Sequence, residues 1–157
     1  MLADRKILDR TELKKIVNSL QAEAKRIVFT NGCFDIIHIG HLDLFEKARA
    51  FGDILIVGLN TDSSVRRLKG QNRPVIPELD RARLLAALEV VDFVVLFDED
   101  TPLEILQYLQ PDVLVKGGDY KRHEVIGQDI VPDVKIVPFM EGKSTTSVIE
   151  RIRSDHE

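Results

Sequence analysis

The sequence predicts an α/β fold, with a doubly wound parallel sheet of about five strands covered by helices on both faces. Short apolar runs without polar alternation recur along the chain, and such runs are typical of strands buried on both sides. A helical pattern separates each run from the next, which favours parallel strands joined by helical crossovers. The length of 157 residues and the 44% share of hydrophobic residues suit one domain with a full core.

We therefore expect a single Rossmann-like domain over residues 1–157, with a helical N-terminal extension over 1–25 and the core over 26–157. In a sheet of this kind, ligands bind at the carboxyl ends of the strands, near the point where the strand order reverses. The predicted strands are residues 27–29, 53–60, 92–97, 112–116 and 133–137.

In the N-terminal half, apolar residues at helical spacing mark the helices. Thr11 fits the N-cap of the first helix. A second helix follows residue 41, and further helical segments lie around 62–68 and 78–90. The apolar faces of the first two helices consist of Leu13, Ile16, Val17, Leu20, Leu42, Leu44, Phe45 and Ala48.

In the C-terminal half, capping residues and prolines mark the helix ends. Asp100, Thr101 and Pro102 predict a helix start with a cap and a proline at the first helical position. Pro111 ends this helix, and the last helix is predicted to begin at Ser144. The apolar residues of these two helices are Leu103, Ile105, Leu106, Leu109, Val148, Ile149 and Ile152.

Composition narrows the classes of function. The net charge of −4 argues against a general nucleic-acid-binding surface. The N-terminus is polar and charged, and no apolar run approaches the length of a membrane span, so neither a signal peptide nor a membrane partner is expected. The single cysteine, Cys33, agrees with a reducing compartment, and the cytoplasm is the expected location. We interpret Cys33 as a small packing residue rather than a nucleophile.

Residues 26–41 are the most informative segment, because an apolar strand passes through a turn into a helix. Asn31 and Gly32 form the turn signal. A strand–loop–helix junction directs backbone N–H groups and the positive end of the helix dipole at one point, where anions bind readily. His38 and His41 would add side-chain donors there. The segment therefore predicts a phosphate site.

A zinc site is the other functional interpretation of the two histidines. The familiar zinc helix motif has His at i and i+4 with Glu between them. Here the spacing is three with Gly40 between, so no metal ligands are expected. The segment His38–His41 also spells the HIGH motif of class I aminoacyl-tRNA synthetases. A chain of 157 residues lacks room for a synthetase's further domains, and it contains no KMSKS-like lysine loop.

The local basic cluster consists of Arg66, Arg67, Lys69 and Arg73. It is either a solvated helix end or a flexible arm that closes over phosphates. The residue pattern alone leaves both interpretations open.

These motifs resemble the signature of the cytidylyltransferase-like nucleotidyltransferase superfamily, which implies an enzyme with the HxGH fold and a catalytic core over 26–157. The superfamily pattern G-x-F-D-x-x-H-x-G-H is matched by Gly32, Phe34, Asp35, His38, Gly40 and His41. Its G-x-S-T-T element, which holds nucleotide phosphates, is matched by Gly142, Ser144, Thr145 and Thr146. Because the two motifs occur in order and far apart, the resemblance is specific.

Over nearly its whole length, the chain further resembles the adenylyltransferase half of bacterial ADP-heptose synthase. Phe139 and Glu89 stand where glycerol-3-phosphate cytidylyltransferases carry arginines, which argues against that substrate set. In many bacteria this half is fused to a sugar kinase of ribokinase type, so a separate heptose kinase is the expected functional partner. The segments that carry the resemblance are 71–74, 98–102, 116–120 and 141–146.

The resemblance implies that a phosphate oxygen of heptose 1-phosphate attacks the α-phosphorus of ATP in line, giving ADP-heptose and pyrophosphate for lipopolysaccharide or surface-glycan synthesis. The nucleophile is already an anion, so positioning and charge stabilisation replace a general base. Mg²⁺ would bridge the ATP phosphates with few protein ligands. The expected partners are ATP and the sugar phosphate, without nucleic acid, and a homodimer is allowed.

The implied roles follow the motifs. The histidines would contact the phosphates and the charge developing at the α-phosphorus, and the hydroxyls of the last motif would hold the β- and γ-phosphates. Residues after the fourth strand would border the base and ribose. The implied catalytic residues are His38, His41, Lys69, Ser144, Thr145 and Thr146. The implied nucleotide-binding residues are Thr30, Asn31, Gly32, Phe34, Asp35, Gly40, Arg73, Lys116, Gly117, Asp119, Tyr120 and Gly142.

Two alternatives stay open at this point. One is transfer of CMP or AMP to another phosphorylated small molecule, such as glycerol 3-phosphate or phosphopantetheine. The other is a nucleotide-binding sensor that has kept the fold and lost turnover. The intact His38, His41 and hydroxyl motif speak against the sensor.

Overall fold

Parallel strands form the centre of the protein, whose computed structural model describes residues 2–154. The strands form one sheet in the order β3-β2-β1-β4-β5, and every neighbouring pair is parallel. The predicted α/β class with a doubly wound sheet of about five strands is therefore confirmed. The strands are β1 (Ile27–Gly32), β2 (Ile54–Asn60), β3 (Phe93–Phe97), β4 (Val113–Gly117) and β5 (Asp133–Val137).

Helices follow the strands as the apolar spacing predicts. Short 3-10 segments also occur at Ala3–Lys6 and Arg122–Glu124. No helix within residues 2–154 is both long and apolar enough to cross a membrane. The α-helices are α1 (Arg10–Ala22), α2 (Ile39–Arg49), α3 (Asp62–Lys69), α4 (Glu78–Ala87), α5 (Leu103–Leu109) and α6 (Thr145–Ser154).

Different helices cover the two faces of the sheet, because successive strand residues point to opposite sides. Val28 faces a core cluster that includes apolar residues of α2 and α4. Its neighbours Ile27 and Phe29 face a second cluster formed with α1 and α5. Leu13 and Val17 of α1 are both 0% exposed, so the segment predicted as an extension packs as part of this core.

Helix α2 begins at Ile39 rather than after residue 41, and α6 begins at Thr145 rather than at Ser144. The predicted starts of two further helices are also wrong in detail. Asp9, not Thr11, is the N-cap of α1, and its carboxylate accepts the backbone N–H of Thr11 at 2.8 Å. Pro102 is the N-cap of α5 rather than its first helical residue. Both shifts arise within the first turn, where caps and helical positions have similar residue preferences.

The strand order reverses between β1 and β4, which are neighbours in the sheet although β2 follows β1 in the chain. The connections after β1 and β4 therefore leave in opposite directions and open a crevice at the carboxyl edge of the sheet. The sequence motifs lie at this edge.

Candidate active site

A cavity of about 370 Å³ opens at the carboxyl ends of β1 and β4. Its walls come from these strand ends, from the first turns of α2 and α6, from the end of α3 and from the loop before α5. Polar groups on a partly apolar lining are typical of a small-molecule site. The sequence-predicted residues that line it are Asn31, Gly32, Phe34, Asp35, His41, Lys69, Arg73, Lys116, Gly117, Tyr120 and Thr145.

The other predicted residues lie around the cavity without lining it. Asp119, for example, is exposed on the loop after β4. These residues are Thr30, His38, Gly40, Asp119, Gly142, Ser144 and Thr146.

The predicted turn at Asn31 and Gly32 is wrong, because both residues continue β1. They pair with Gly58 and Leu59 of β2. Hydrogen-bonding partners on the neighbouring strand here outweigh the local preference of Asn-Gly for a turn. The chain turns only at Phe34, whose φ of 44° lies in the left-handed region. The strand consequently carries Asn31 and Gly32 to the cavity.

Thr30 does not reach the cavity, contrary to the prediction that it binds the nucleotide. It is 1% exposed, and its hydroxyl donates to the carbonyl oxygen of Val115 at 2.9 Å. The side chain therefore ties β1 to β4 and leaves no surface for a ligand.

His38 and His41 are both held by the first turn of α2. His38 is the N-cap, and its Nδ1 accepts the N–H of Gly40 at 3.1 Å. The Nδ1 of His41 accepts the N–H of His38 at 3.3 Å. An accepting Nδ1 leaves the proton of a neutral imidazole on Nε2. This hydrogen-bond pattern therefore assigns an Nε2–H donor to each ring.

Both imidazoles are neutral at pH 7. Burial and then the neighbouring His38 and Lys69 lower the pKa of His41 to about 4. Burial and then the charge of Lys143 lower the pKa of His38. Two cationic side chains thus stand close enough to the rings to disfavour their protonation. The rings can donate hydrogen bonds to anionic oxygens but do not act as acids at neutral pH.

The two sequence motifs meet at the cavity. An added Cβ at Gly40 would lie 2.9 Å from Cε1 of His38 and 3.4 Å from Cβ of Lys143. The missing side chain therefore lets the first turn of α2 approach the segment before α6. Thr145 lines the cavity, and its hydroxyl donates to the carbonyl oxygen of Ile36 at 3.4 Å. The N-termini of α2 and α6 consequently stand side by side at the cavity.

Ser144 and Thr146 do not line the cavity. Ser144 Oγ accepts the N–H of Ser147 at 3.0 Å, and Ser147 Oγ accepts the N–H of Ser144 at 3.2 Å, so the two serines cap α6 reciprocally. Thr146 lines a separate depression that also includes Val75. Gly142, with φ 71°, makes the left-handed turn before the helix.

Asp35 anchors a neighbouring loop, although the sequence predicted it to shape the nucleotide floor. Its side chain is 1% exposed and accepts Nε of Arg73 at 2.6 Å. It also accepts the N–H groups of Val75 at 2.8 Å and Ile76 at 2.9 Å. Burial alone would raise the pKa of Asp35, but the hydrogen bonds from Ile76, Val75 and Arg73 lower it overall. Arg73 therefore meets any phosphate with its charge already paired.

The basic cluster divides into paired and unpaired cations. Arg67 forms ion pairs with Asp98 and Asp100, and all three residues line a separate surface depression. Lys69, the last residue of α3, lines the cavity and forms no ion pair within residues 2–154. Because α3 continues through Lys69, the irregular segment is shorter than the arm predicted over 66–73.

The end of β4 forms the opposite wall. Burial lowers the pKa of Lys116, whose Nζ lies 5.4 Å from the centroid of the Tyr120 ring. Gly118 has φ 122°, and an added Cβ would lie 2.9 Å from the ring of Tyr120 and 3.0 Å from the ring of Phe139. Glycine thus allows two aromatic rings to border the cavity beside Gly117.

The two departures from the cytidylyltransferase pattern lie in different places. Phe139 is 68% exposed and lines the cavity beside Gly117. Glu89 lines a separate surface depression that also includes Leu42. Only the departure at Phe139 therefore bears on a ligand in this cavity.

Cys33 lines the cavity but is not activated. Burial raises the pKa of its thiol, and the nearby charges of Lys69, Arg81 and Arg73 offset this only in part. The protonated thiol agrees with the interpretation of Cys33 as a packing residue.

Sequence reasoning missed Arg81, which is 0% exposed beneath the cavity. Its guanidinium donates to the carbonyl oxygens of Cys33 at 2.6 Å, Asn60 at 2.9 Å and Ile76 at 2.8 Å. It also donates to a carboxylate oxygen of Asp62 at 2.6 Å. An arginine within the apolar face of a predicted helix was the signal that could have identified it.

The family model described as Cytidylyltransferase-like matches residues 29–152. The chain belongs to the cytidylyltransferase-like family. The match spans both motifs, so the superfamily resemblance stated from the sequence is confirmed.

Curated relatives extend this family assignment. The chain is 57% identical over 148 residues to bifunctional protein HldE of Nitratiruptor, covering 94% of this chain and 32% of the relative. It is 55% identical over 156 residues to the HldE of Geotalea uraniireducens, and the match covers 97% of this chain and 32% of that relative. The HldE of Helicobacter pylori is 52% identical over 144 residues, covering 92% and 31%. This cytidylyltransferase-like chain thus spans about a third of the length of these relatives.

Solved structures agree on the fold. The lipopolysaccharide core biosynthesis protein from Thermoplasma volcanium superposes with a TM-score of 0.61 at 29% identity, covering 76% of this chain and 99% of that protein. Pantoate-beta-alanine ligase from Francisella tularensis, solved with an ATP analogue and beta-alanine, gives a TM-score of 0.63 at 18% identity, covering 92% and 72%. The second likeness concerns the cytidylyltransferase-like fold alone.

Proposed function

We propose that this chain is a nucleotidyltransferase that transfers AMP from ATP to a heptose 1-phosphate, giving ADP-heptose and pyrophosphate. The observation that carries the proposal is the identity of 57% over 94% of the chain to a relative named bifunctional protein HldE. HldE is the bifunctional ADP-heptose synthase. The part of HldE that matches this chain, about a third of its length, corresponds to its adenylyltransferase domain. The alternative of cytidylyl transfer to glycerol 3-phosphate has less support, because the relatives at 52–57% identity carry the HldE name.

The geometry of the cavity supports a transfer at phosphorus. The Nε2–H groups of His38 and His41 stand at the start of α2, beside the start of α6. Helix N-termini and neutral donors stabilise negative charge without changing their own protonation state. Lys69 lines the cavity and forms no ion pair among the residues that the structure describes.

In the proposed reaction, a phosphate oxygen of the sugar 1-phosphate forms a bond to the α-phosphorus of ATP. The bond from that phosphorus to the oxygen bridging to the β-phosphorus breaks, and pyrophosphate leaves with the electron pair. No proton has to be removed from the nucleophile, which is consistent with histidines at the start of α2 that are neutral donors. Positioning and charge stabilisation then supply the rate enhancement.

We propose that Mg²⁺ enters bound to the triphosphate of ATP. Within residues 2–154, no group of three or more His, Cys, Asp or Glu side chains is placed to hold a metal ion. Few protein ligands are expected for this ion, because Mg²⁺ usually keeps several waters and binds substrate phosphates.

The sugar 1-phosphate requires a kinase reaction that phosphorylates the heptose, and we propose a functional link to such a kinase. A homodimer is one expectation for the oligomeric state, and light scattering of the purified chain measures it.

Pyrophosphate release with ATP or CTP and a panel of acceptors tests the proposal. The panel contains both anomers of heptose 1-phosphate, glycerol 3-phosphate and phosphopantetheine, and mass spectrometry identifies the product. We expect turnover with ATP and one heptose 1-phosphate anomer, in strong preference to CTP. Equal or better turnover with CTP, or none with either anomer, would overturn the heptose assignment.

A further inference from the structure

Arg81 is a fully buried cation that the transfer chemistry described above does not use. Burying a charge is costly unless hydrogen bonds and an opposite charge compensate for it. The guanidinium of Arg81 has this compensation, since it donates to three carbonyl oxygens and to the carboxylate of Asp62. The four acceptors lie directly after β1, at the end of β2, at the start of α3 and shortly before α4.

We propose that Arg81 is a positioning residue for the nucleotidyl transfer, an inference that rests on the proposed function. Its Nη1 donates both to Cys33, directly after β1, and to Asn60, the last residue of β2. One nitrogen thus fixes the spacing of the two strand ends that meet at the floor. Both Cys33 and Asn60 line the cavity.

The bond to Cys33 also sets the orientation of the next peptide group. In a trans peptide the C=O and the following N–H point in opposite directions. Because the carbonyl of Cys33 points at Arg81, the N–H of Phe34 points away from it. Phe34 has φ 44°, a strained value for a bulky residue, and it lines the cavity. Arg81 therefore holds the backbone of the floor in a conformation that the chain would not adopt by itself.

The third carbonyl, that of Ile76, links Arg81 to the loop anchored by Asp35. Arg81 Nε donates to the oxygen of Ile76 at 2.8 Å, while the N–H of Ile76 donates to Asp35 at 2.9 Å. Two buried charges of opposite sign thus hold the same residue of the loop. Arg73, which lies in this loop, lines the cavity, so its position depends on both.

Arg81→Lys tests the proposal, because lysine keeps the charge but lacks the planar fork that reaches several acceptors. Arg83→Lys on the same helix is the matched control, since Arg83 is exposed and pairs with Asp4 at the surface. We expect kcat of Arg81→Lys to fall on the order of 10- to 100-fold, because the residues that line the cavity would be slightly misplaced relative to the reacting atoms. The KM for ATP should change little. Arg83→Lys should keep the wild-type kcat.

Activities are expressed per folded molecule, with the folded fraction taken from thermal unfolding followed by circular dichroism. A wild-type kcat per folded Arg81→Lys molecule, or a raised KM for ATP with unchanged kcat, would overturn the proposal. If Arg81→Lys does not fold, Asp62→Asn decides, because it removes the negative charge that pairs with the guanidinium and keeps the buried arginine. A lower kcat at an unchanged thermal midpoint then supports the proposal, and an unchanged kcat overturns it. Wild-type turnover in the same assay separates this test from failure of the proposed function.

Discussion

The imidazole rings of His38 and His41 are stacked, with centroids 3.9 Å apart and planes inclined by 27°. Burial lowers the pKa of His41 most, and the stacked His38 ring lowers it further, since two charged rings at this distance would repel each other. The Phe34 ring contacts the His41 ring edge-on, with the ring centroids 5.3 Å apart. The pair therefore forms a rigid set of neutral donors at the start of α2.

His41→Asn separates the donor role of the ring from its capping role. The amide oxygen of asparagine can replace Nδ1 and keep the bond from the N–H of His38, whereas nothing replaces the Nε2–H group. We expect kcat to fall on the order of 10²- to 10³-fold, the range for loss of one charge-stabilising donor. His38→Asn should behave similarly. Pyrophosphate release measures kcat, and near wild-type turnover in either folded variant would assign that histidine a structural role.

The lowered pKa of His41 predicts a loss of stability in acid. Between pH 6.5 and about 4 the unfolded chain binds a proton at this residue and the native chain does not, so the unfolding free energy falls as pH falls. The change should be on the order of 2 kcal/mol across this window, with His38 acting in the same direction. Urea unfolding at several pH values measures it. His41→Asn should give a flatter curve.

Asp35→Asn should destabilise the protein strongly. The substitution leaves Arg73 without its carboxylate and the N–H groups of Val75 and Ile76 competing for one acceptor. We expect the unfolding free energy to fall by about 3 kcal/mol at pH 7, as when one partner of a buried ion pair is removed.

Asp43→Asn is the control for this change, because Asp43 pairs with Lys47 on the surface of α2 and should contribute about 0.5 kcal/mol or less. Urea unfolding compares the two variants. Equal unfolding free energies of the two variants would show that the hydrogen bonds and the ion pair of Asp35 contribute little to the stability of the fold.

Lys69→Ala should lower kcat/KM roughly 10- to 100-fold, the equivalent of one charge-assisted hydrogen bond to phosphate. The reason is that Lys69 lines the cavity without an ion pair among the described residues. Lys14→Ala is the control, because Lys14 donates to the carbonyl of Leu109 away from the cavity. Steady-state kinetics at two salt concentrations should show less salt dependence for Lys69→Ala than for the wild type.

Hydrogen exchange should locate the mobile part of the basic segment at residues 70–72. Arg67 is paired with Asp100, and Arg73 with Asp35, so both sides of this short turn are held. We expect rapid exchange at Gln71 and Asn72, and slower exchange when ATP and sugar phosphate are both bound. Equal protection with and without both substrates would exclude closure of this turn over the ligand.

The sheet was predictable because burial on both faces leaves a direct trace in the sequence. Val113, Leu114 and Val115 follow one another in β4 and are each 1% exposed or less. No polar alternation is possible in such a strand, so an unbroken apolar run predicts it. The position of the two histidines at the start of a helix was also predictable, because their geometry is set by contacts within one helical turn.

The remaining details depend on partners distant in the chain. Whether Arg73 is free or paired is decided by Asp35, and the role of Arg81 is decided by the carbonyl of Cys33. Backbone carbonyls have the same chemistry in every residue, so no local pattern indicates which of them a buried arginine meets. The turn assigned to Asn31 failed for this reason too, because its strand partner Gly58 lies in β2.

No residue of α6, Thr145–Ser154, is buried, yet its first turn supplies Thr145 to the cavity. The helix thus packs less tightly than the core helices, and its first turn reaches the cavity. By mass action, a ligand that binds only the docked helix stabilises docking, and without ligand such a weakly packed segment opens before the rest of the protein. Substrate binding and the docking of α6 are then coupled, so that each stabilises the other.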